Sequence, residues 1–317
     1  MDHHGAFIHR YQLVSQNIYL IRFQCGKFFS VQKIFSAAKS LRVIITSSLC
    51  MIAEIESYNA VKNELKFFAT SGVRIKLLIS LNKEEMTMDQ LRSEFGYRTS
   101  TILPVLAELK SKDLIYQDDR RYGVTPLGKL ISLKLIDFIK TLKMQKIQKT
   151  FWLTHESHMI PELFFASIGL LSNAYIVRDT SANPFATHEN FVNALEGCSV
   201  VKGVSPILYP DYPNIFKRLI ESGVETQMLV TDQVLELLHT KFDVILKDII
   251  NKPNFNLKST YEELRVAFTV TDKFLSLGLY RTDGTYDFGT DLISEDRAAI
   301  EWGNALFEYY WDRAVEF

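Results

Sequence analysis

Between residues 53 and 70 the apolar residues Ile55, Tyr58, Val61, Leu65 and Phe68 recur at spacings of three and four, which predicts a short lead-in helix with one apolar face. Gly72 interrupts, and Val73, Ile75, Leu77, Leu78 and Leu81 then predict a second helix ending near Asn82. Thr87 with Gln90 three residues later has the form of a capping box, in which hydroxyl and amide each satisfy a backbone donor; the helix it opens runs through Leu91 and Phe95 to a stop at Gly96. A third helix is expected from Arg98–Thr101 through Ile102, Leu103, Leu106 and Leu109, with Pro104 tolerated if Ser100 or Thr101 is the cap. Leu114 to Gln117 and Tyr122 to Thr125 flank the polar run Asp118-Asp119-Arg120-Arg121, the pattern of strand, tight turn and strand that forms a wing. Thr125-Pro126 then opens a long helix carrying Leu127, Leu130, Ile131, Ile136, Ile139 and Leu142.

Beyond Trp152 strands and helices alternate. Strand patterns at Tyr175–Val177, Val200–Ile207, Val224–Val230, Phe255–Leu257, Arg265–Val270 and Phe274–Tyr280 are separated by helical segments at His188–Leu195, Pro213–Ser222 and Asp232–Ile250, and an aromatic-rich helix closes the chain at Glu295–Ala314. Such alternation predicts helices packed on a largely parallel sheet. The expected fold is therefore an α+β winged helix followed by an α/β domain, divided as a 1–50 extension, a 51–70 lead-in helix, a 71–125 winged helix-turn-helix, a 126–150 linking and dimerisation helix, and a 151–317 regulatory domain.

Charge sharpens this division. The whole chain carries a formal net charge of -1, but residues 71–150 hold 15 Lys+Arg against 9 Asp+Glu, whereas residues 151–317 hold 13 against 24. Only the first of these suits a polyanion. The first 50 residues carry six Lys+Arg and a single acid, Asp2; this composition is foreign to the rest, and a translation start at Met51, where acidic helix-forming sequence begins, accounts for it better than a targeting peptide. Apolar runs are too short and too often interrupted by charge to cross a bilayer, and Cys25, Cys50 and Cys198 form neither a CxxC pair nor a disulfide framework, so a soluble cytoplasmic protein is expected.

The third helix opens with Tyr97, Arg98, Thr99, Ser100 and Thr101, a guanidinium and hydroxyls at the helix end whose free amides also favour phosphate, while Arg120, Arg121 and Tyr122 stand in the wing. These eight residues are the candidate contacts to double-stranded operator DNA. The competing reading is a scaffold whose winged helix holds a protein partner. Residues 67–135 resemble archaeal winged-helix regulators, and the phrases FWLTHESHMIPEL, VVKGVSPILYPDYPNIFKRLIESG, VTDKFLSLGLYRTDGTYDFGTDLI and AAIEWGNALFEYYWDRA resemble the domain attached to them in the methanogenesis-regulator-like group. The resemblance implies transcriptional control in an archaeal cell and supplies no ligand.

For the C-terminal domain no GxGxxG after a strand, P-loop, GxSxG or HExxH is present. Some archaeal regulators have a phospholipase-D-like sensor domain; here His239-Thr240-Lys241 is followed by Leu246 where the active pattern needs Asp, so a catalytically inactive sensor of that type is expected. Ser205, Tyr209, Asp211, Tyr280, Asp283, Tyr286 and Asp287 fall at strand ends, where open sheets form clefts for small ligands, although Asp283 and Asp287 also suit plain turns. His155, His158 and Glu162 have a spacing that metal ligands use, but two imidazoles beside a proline more often line a surface, and no metal or cofactor is expected. Trp302, Phe307, Tyr309, Tyr310 and Trp311 read as packing residues. The partners implied are operator DNA, a second copy of the chain, and a small-molecule effector or regulatory protein.

Overall fold

A computed structural model describes residues 54–316, together with the backbone of three short antiparallel strands, β1 (Gln12–Val14), β2 (Ile18–Arg22) and β3 (Phe28–Ser30). The expectation of a start at Met51 otherwise lies outside the described residues. Two compact units divide the chain: described residues up to Leu77 with Tyr97–Ala107, and Leu78–Gly96 with everything from Glu108 onward.

In the first unit helix α1 (54–69) leads into α2 (Gly72–Lys83). Arg74 fixes this junction by donating to the Phe67 carbonyl at 2.8 Å and laying its guanidinium over the Phe67 ring. Ile55, Tyr58, Val61 and Leu65 are exposed along α1. Helix α2 buries Leu77, Leu78 and Leu81.

The second unit then holds β4 (Met86–Thr87) and α3 (Met88–Phe95). The expected capping box is present: the Gln90 amide N–H donates to Thr87 Oγ1 at 3.3 Å, and the Thr87 N–H to Gln90 Oε1 at 2.8 Å. Gly96 ends α3 at a φ of 66°, a left-handed backbone that costs glycine little. Helix α4 (Thr99–Ser111) buries Ile102, Leu106 and Leu109. Strands β5 (Ile115–Asp118) and β6 (Arg121–Val124) form a hairpin whose β6 also pairs with β4, giving an antiparallel sheet in the order β4-β6-β5. Thr125 caps and Pro126 opens α5 (Pro126–Thr154) as expected.

Helix α5 is four residues longer than the expected linker and bends at Gln148, whose φ of -108° and ψ of 15° leave the helical region. The buried Gln148 side chain occupies that bend, donating to the Leu171 and Ala174 carbonyls at 2.7 and 3.1 Å and accepting from Trp152 Nε1 at 3.0 Å. Short α6 (Glu162–Phe165) and a 3-10 turn at Ile168–Leu171 lead to β7 (Tyr175–Arg178) and α7 (Ala186–Ala194).

From here β8 (Val200–Ser205), α8 (Tyr212–Glu221), β9 (Glu225–Thr231), α9 (Asp232–Lys241), α10 (Asp243–Ile249) and β10 (Phe255–Thr260) follow in order, and β8, β9 and β10 lie parallel. The remaining strands β11 (Val266–Thr271), β12 (Leu275–Leu279) and β13 (Thr290–Ser294) precede α11 (Arg297–Trp311) and β14 (Val315–Glu316). The sheet runs β14-β10-β9-β8-β11-β12-β13-β7, and every pairing outside β8–β9–β10 is antiparallel. This corrects the largely parallel sheet expected from the sequence: the sheet is mixed. One face packs on α11 and the end of α5 through Leu275, Leu277, Leu279, Leu292, Trp302 and Phe307. Trp302, Phe307 and Tyr310 are buried there, as their reading as packing residues requires, with Tyr309 and Trp311 half-buried beside them. The other face carries α7 to α10 over two apolar clusters.

Candidate nucleic-acid interface and ligand pocket

Arg98 supplies the carbonyl that starts α4, accepting from the amides of Thr101 and Ile102 at 2.9 and 3.2 Å. Arg98, Thr99, Ser100 and Thr101 are all exposed, and Tyr97 is half-buried with its hydroxyl accepting from Lys76 Nζ at 3.1 Å. The helix begins at Thr99, ahead of the cap that the proline argument needed, so Pro104 is its sixth residue. A proline there lacks the amide that would bond the Ser100 carbonyl.

In the second unit, Asp119 and Arg120 form the hairpin tip, Asp119 at a φ of 48°, and Arg120 is exposed. Arg121 is also exposed, but its guanidinium donates to the Glu85 carbonyl at 3.1 Å, tying β6 to the segment before β4. Tyr122 is 9% exposed and belongs to the core, which removes it from the candidate contacts. Its sequence position was sound for packing, since alternation along β6 turns it opposite to Arg121.

The C-terminal candidates divide. Ser205, Tyr209, Tyr286 and Asp287 line one cleft of about 70 Å³ between α7, the start of α8 and the sheet. Asp211, Tyr280 and Asp283 lie outside it. Asp211 precedes α8 on the outer surface, Tyr280 borders a separate depression with Arg265, and Asp283 accepts from Thr285 N–H and Oγ1 at 2.9 and 2.6 Å as a turn residue. Those two hydrogen bonds hold the Asp283 carboxyl below its ordinary range.

Asp287 has a second duty. It accepts from Arg281 at 2.8 Å and from the Gly289 amide at 3.1 Å, and its other oxygen lies 3.1 Å from His155 Nε2. His155 Nδ1 lies 2.8 Å from the Phe151 carbonyl, so both ring nitrogens face oxygen acceptors and the residue clamps the end of α5 to the loop before β13. Although burial opposes ionisation, the hydrogen bonds from Arg281 and His155 leave the Asp287 carboxyl below its usual range. His155 is thus committed to Asp287, and among the described residues no cluster fit to hold a metal ion occurs.

The sequence reading missed the floor of the cleft. Thr269, Ser276, Gly278 and Asp291 supply it from β11, β12 and β13. Asp291 is 6% exposed; Ser276 donates to its Oδ2 at 2.5 Å, while Oδ1 has no hydrogen-bond partner. Burial pushes its pKa up to about 6, an effect that Ser276 and the nearby amides of Leu292 and Leu277 offset only in part. Thr187 Oγ1 and His188 Nδ1 are likewise buried without partners. The walls are aromatic: His188 stacks on Tyr209 with centroids 4.5 Å apart, and Tyr212, Phe288 and Tyr286 continue the ring series. Gly278 is required beneath Tyr286, because a Cβ there would lie 2.2 Å from the tyrosine hydroxyl oxygen. Burial and the neighbouring Asp291 hold the Tyr212 and Tyr286 phenols protonated far above neutrality.

Residues 62–143 match the family described as methanogenesis regulatory protein FilR1, N-terminal domain, and residues 184–313 match the middle domain of the same protein. Methanogenesis regulatory protein FilR1 of Methanothrix harundinacea (strain 6Ac) is 29% identical over 256 residues, covering 80% of this chain and 57% of that relative. The chain thus spans little more than half the length of the curated relative it matches. A solved structure described as that of TrmBL2, an archaeal chromatin protein showing a novel mode of DNA binding, aligns over 80% of this chain and 98% of its own with a TM-score of 0.36 and 14% identity, a likeness too distant to carry any conclusion. Matches to both domains, on the two stretches whose wording carries the resemblance, place the chain in the FilR1 family of methanogenesis regulatory proteins.

Proposed function

We propose that this protein is a transcriptional regulator that binds operator DNA as a homodimer through a winged helix-turn-helix and receives its signal at the cleft of the C-terminal sheet. The observation that carries the DNA reading is the start of α4: four consecutive side chains, Arg98 to Thr101, are exposed and bear only a guanidinium and hydroxyls, while Ile102, Leu106 and Leu109 anchor the same helix. A helix so anchored presents its first turn to base edges and phosphates. Arg120, at the hairpin tip, makes a separate contact to the sugar-phosphate backbone; Arg121 contributes less, because its guanidinium already serves Glu85. The family name, a regulatory protein, agrees with control rather than catalysis. His239 and Lys241 lie near the end of α9, and Leu246 on α10 stands in the place of the acid that a phospholipase-D-like active site needs.

Gel-shift titration at two salt concentrations tests the reading. Arg98→Ala is expected to weaken binding to the operator by about 1–3 kcal/mol with loss of sequence preference, and Arg120→Ala to weaken binding to all sequences and lower the salt slope by about one. Retention of full affinity by both variants, or no retardation of any duplex from the protein's own promoter region, overturns it and favours the protein-scaffold alternative.

A further inference from the structure

The cleft beside Asp291 has an apolar neighbour. A second, narrow cavity of about 70 Å³ lies under α8, α9 and α10 on the same face of the sheet. The two share Ser205, Ile207, Tyr212, Phe216 and Met228 in their walls, so they adjoin. The second is walled by Val230, Val234, Leu246, Phe255 and Leu257, and the hydroxyl of Ser205 at its mouth is already used, donating to the Ile207 carbonyl at 2.6 Å. Among its described lining residues Ser205 and Tyr212 alone carry a side-chain hydroxyl, and the rest of the wall offers an alkyl chain apolar surface along its length.

The first cavity has the opposite character. Its floor holds a 94%-buried carboxylate with one oxygen unpartnered, its rim holds the unpartnered Thr187 hydroxyl and His188 nitrogen, and its walls are rings. Among the described residues, no lysine or arginine lines either cavity. An anionic head would meet Asp291 with no compensating cation, while an ammonium would meet a carboxylate and several aromatic faces together.

We propose that the two cavities form one site for a single-chain amphiphile, its protonated amine held by Asp291 among the rings of His188, Tyr209 and Tyr212 and its alkyl chain laid in the slot under α8 to α10. This rests on reading that face of the sheet as the place where the signal is received, and it names the chemical class of the signal. The chain supplies affinity, because each methylene buried is worth about fourfold in binding. The head supplies discrimination, because an uncharged or anionic group leaves the buried carboxylate unpaired.

Titration calorimetry on the whole chain without DNA tests this, using n-butylamine, n-hexylamine and n-octylamine below their micellar concentrations against octanol and octanoate. Affinity is expected to rise about fourfold per methylene through the amine series, with octanoate at least tenfold weaker than octylamine. Asp291→Asn should bring octylamine down to the level of octanol. Leu238→Trp, a half-buried position on the slot wall, should abolish the gain from butylamine to octylamine. Equal binding of octanoate and octylamine, a flat chain-length series, or indifference to Asp291→Asn in a variant that melts cooperatively overturns the proposal. Because DNA is absent, a failure here leaves the operator reading standing, and a failed gel shift leaves this one standing.

Discussion

At the scale of single residues, Asp291 is the clearest sign that the cleft is built for something other than stability. Its carboxyl has an ordinary value of 3.8 in the unfolded chain and about 6 in the fold, so the unfolded state ionises first as pH rises. Stability from this residue is therefore complete below about pH 4 and is lost progressively as pH passes through 6, a penalty of about 3 kcal/mol by linkage. The hydroxyl of Ser276 and the phenols of Tyr212, Tyr286 and Tyr175 near it stay neutral across that window, and the His188 ring and the Asp287 carboxylate line the same cleft. Asp291→Asn is expected to raise stability by about 1–3 kcal/mol at pH 8 and by little at pH 4, measured by urea unfolding at both. Equal effects at the two pH values would contradict the buried-charge account. The sequence reading reaches Ser205, Tyr209, Tyr286 and Asp287 because polar and aromatic residues at strand ends stand out. It does not reach Asp291, which lies within a strand beside Leu292 and Ile293. The available signal was Ser276 and Gly278 alternating with Leu275, Leu277 and Leu279, a strand with one apolar face and one face too small to be core.

At the scale of elements, what is local is legible and what is tertiary is not. The Thr87–Gln90 box, the Gly96 stop and the Thr125-Pro126 start depend on four or five adjacent residues and appear where the sequence puts them. Helix α4 starts within the expected Arg98–Thr101 but ahead of the Ser100 or Thr101 cap, because the proline rule weighs one missing bond, whereas Ile102, Leu106 and Leu109 gain burial only if the helix forms around them. The bend of α5 has no signature in sequence, since glutamine is an ordinary helix former and the two carbonyls it donates to lie more than twenty residues away. Gln148→Leu would leave the Leu171 and Ala174 carbonyls without that donor in a dry setting. A loss of about 1–3 kcal/mol is expected, read as a lower urea midpoint at an unchanged slope. A variant as stable as the parent would show that the bend is held by packing alone.

At the scale of the whole molecule, the strand–helix alternation correctly marks β8 to β10 and then misleads. Only a few residues separate β11 from β12, too few for the crossover that parallel neighbours need, so this part of the sheet must turn back on itself. Connection length, more than the identity of the residues, held the information. The proposed dimer also belongs to this scale, and its support is what α5 leaves uncovered. Leu127, Phe138 and Leu142 are about half exposed, and their spacings of eleven and four residues bring them to one side of the helix. Large apolar side chains aligned on a helix that also carries many lysines are costly to leave in water, and a second copy of the same helix would cover them by two-fold symmetry. Phe138→Glu with Leu142→Glu is therefore expected to convert the protein from dimer to monomer in sedimentation equilibrium at micromolar concentration, with helix content preserved by circular dichroism. The same variant should lose affinity for a two-fold operator much more than for a half-site, since each monomer keeps its own α4 while the gain from tethering two of them disappears. A parent protein that sediments as a monomer throughout, or a double variant that remains dimeric, assigns the dimer contact elsewhere and leaves the exposed face of α5 without this role.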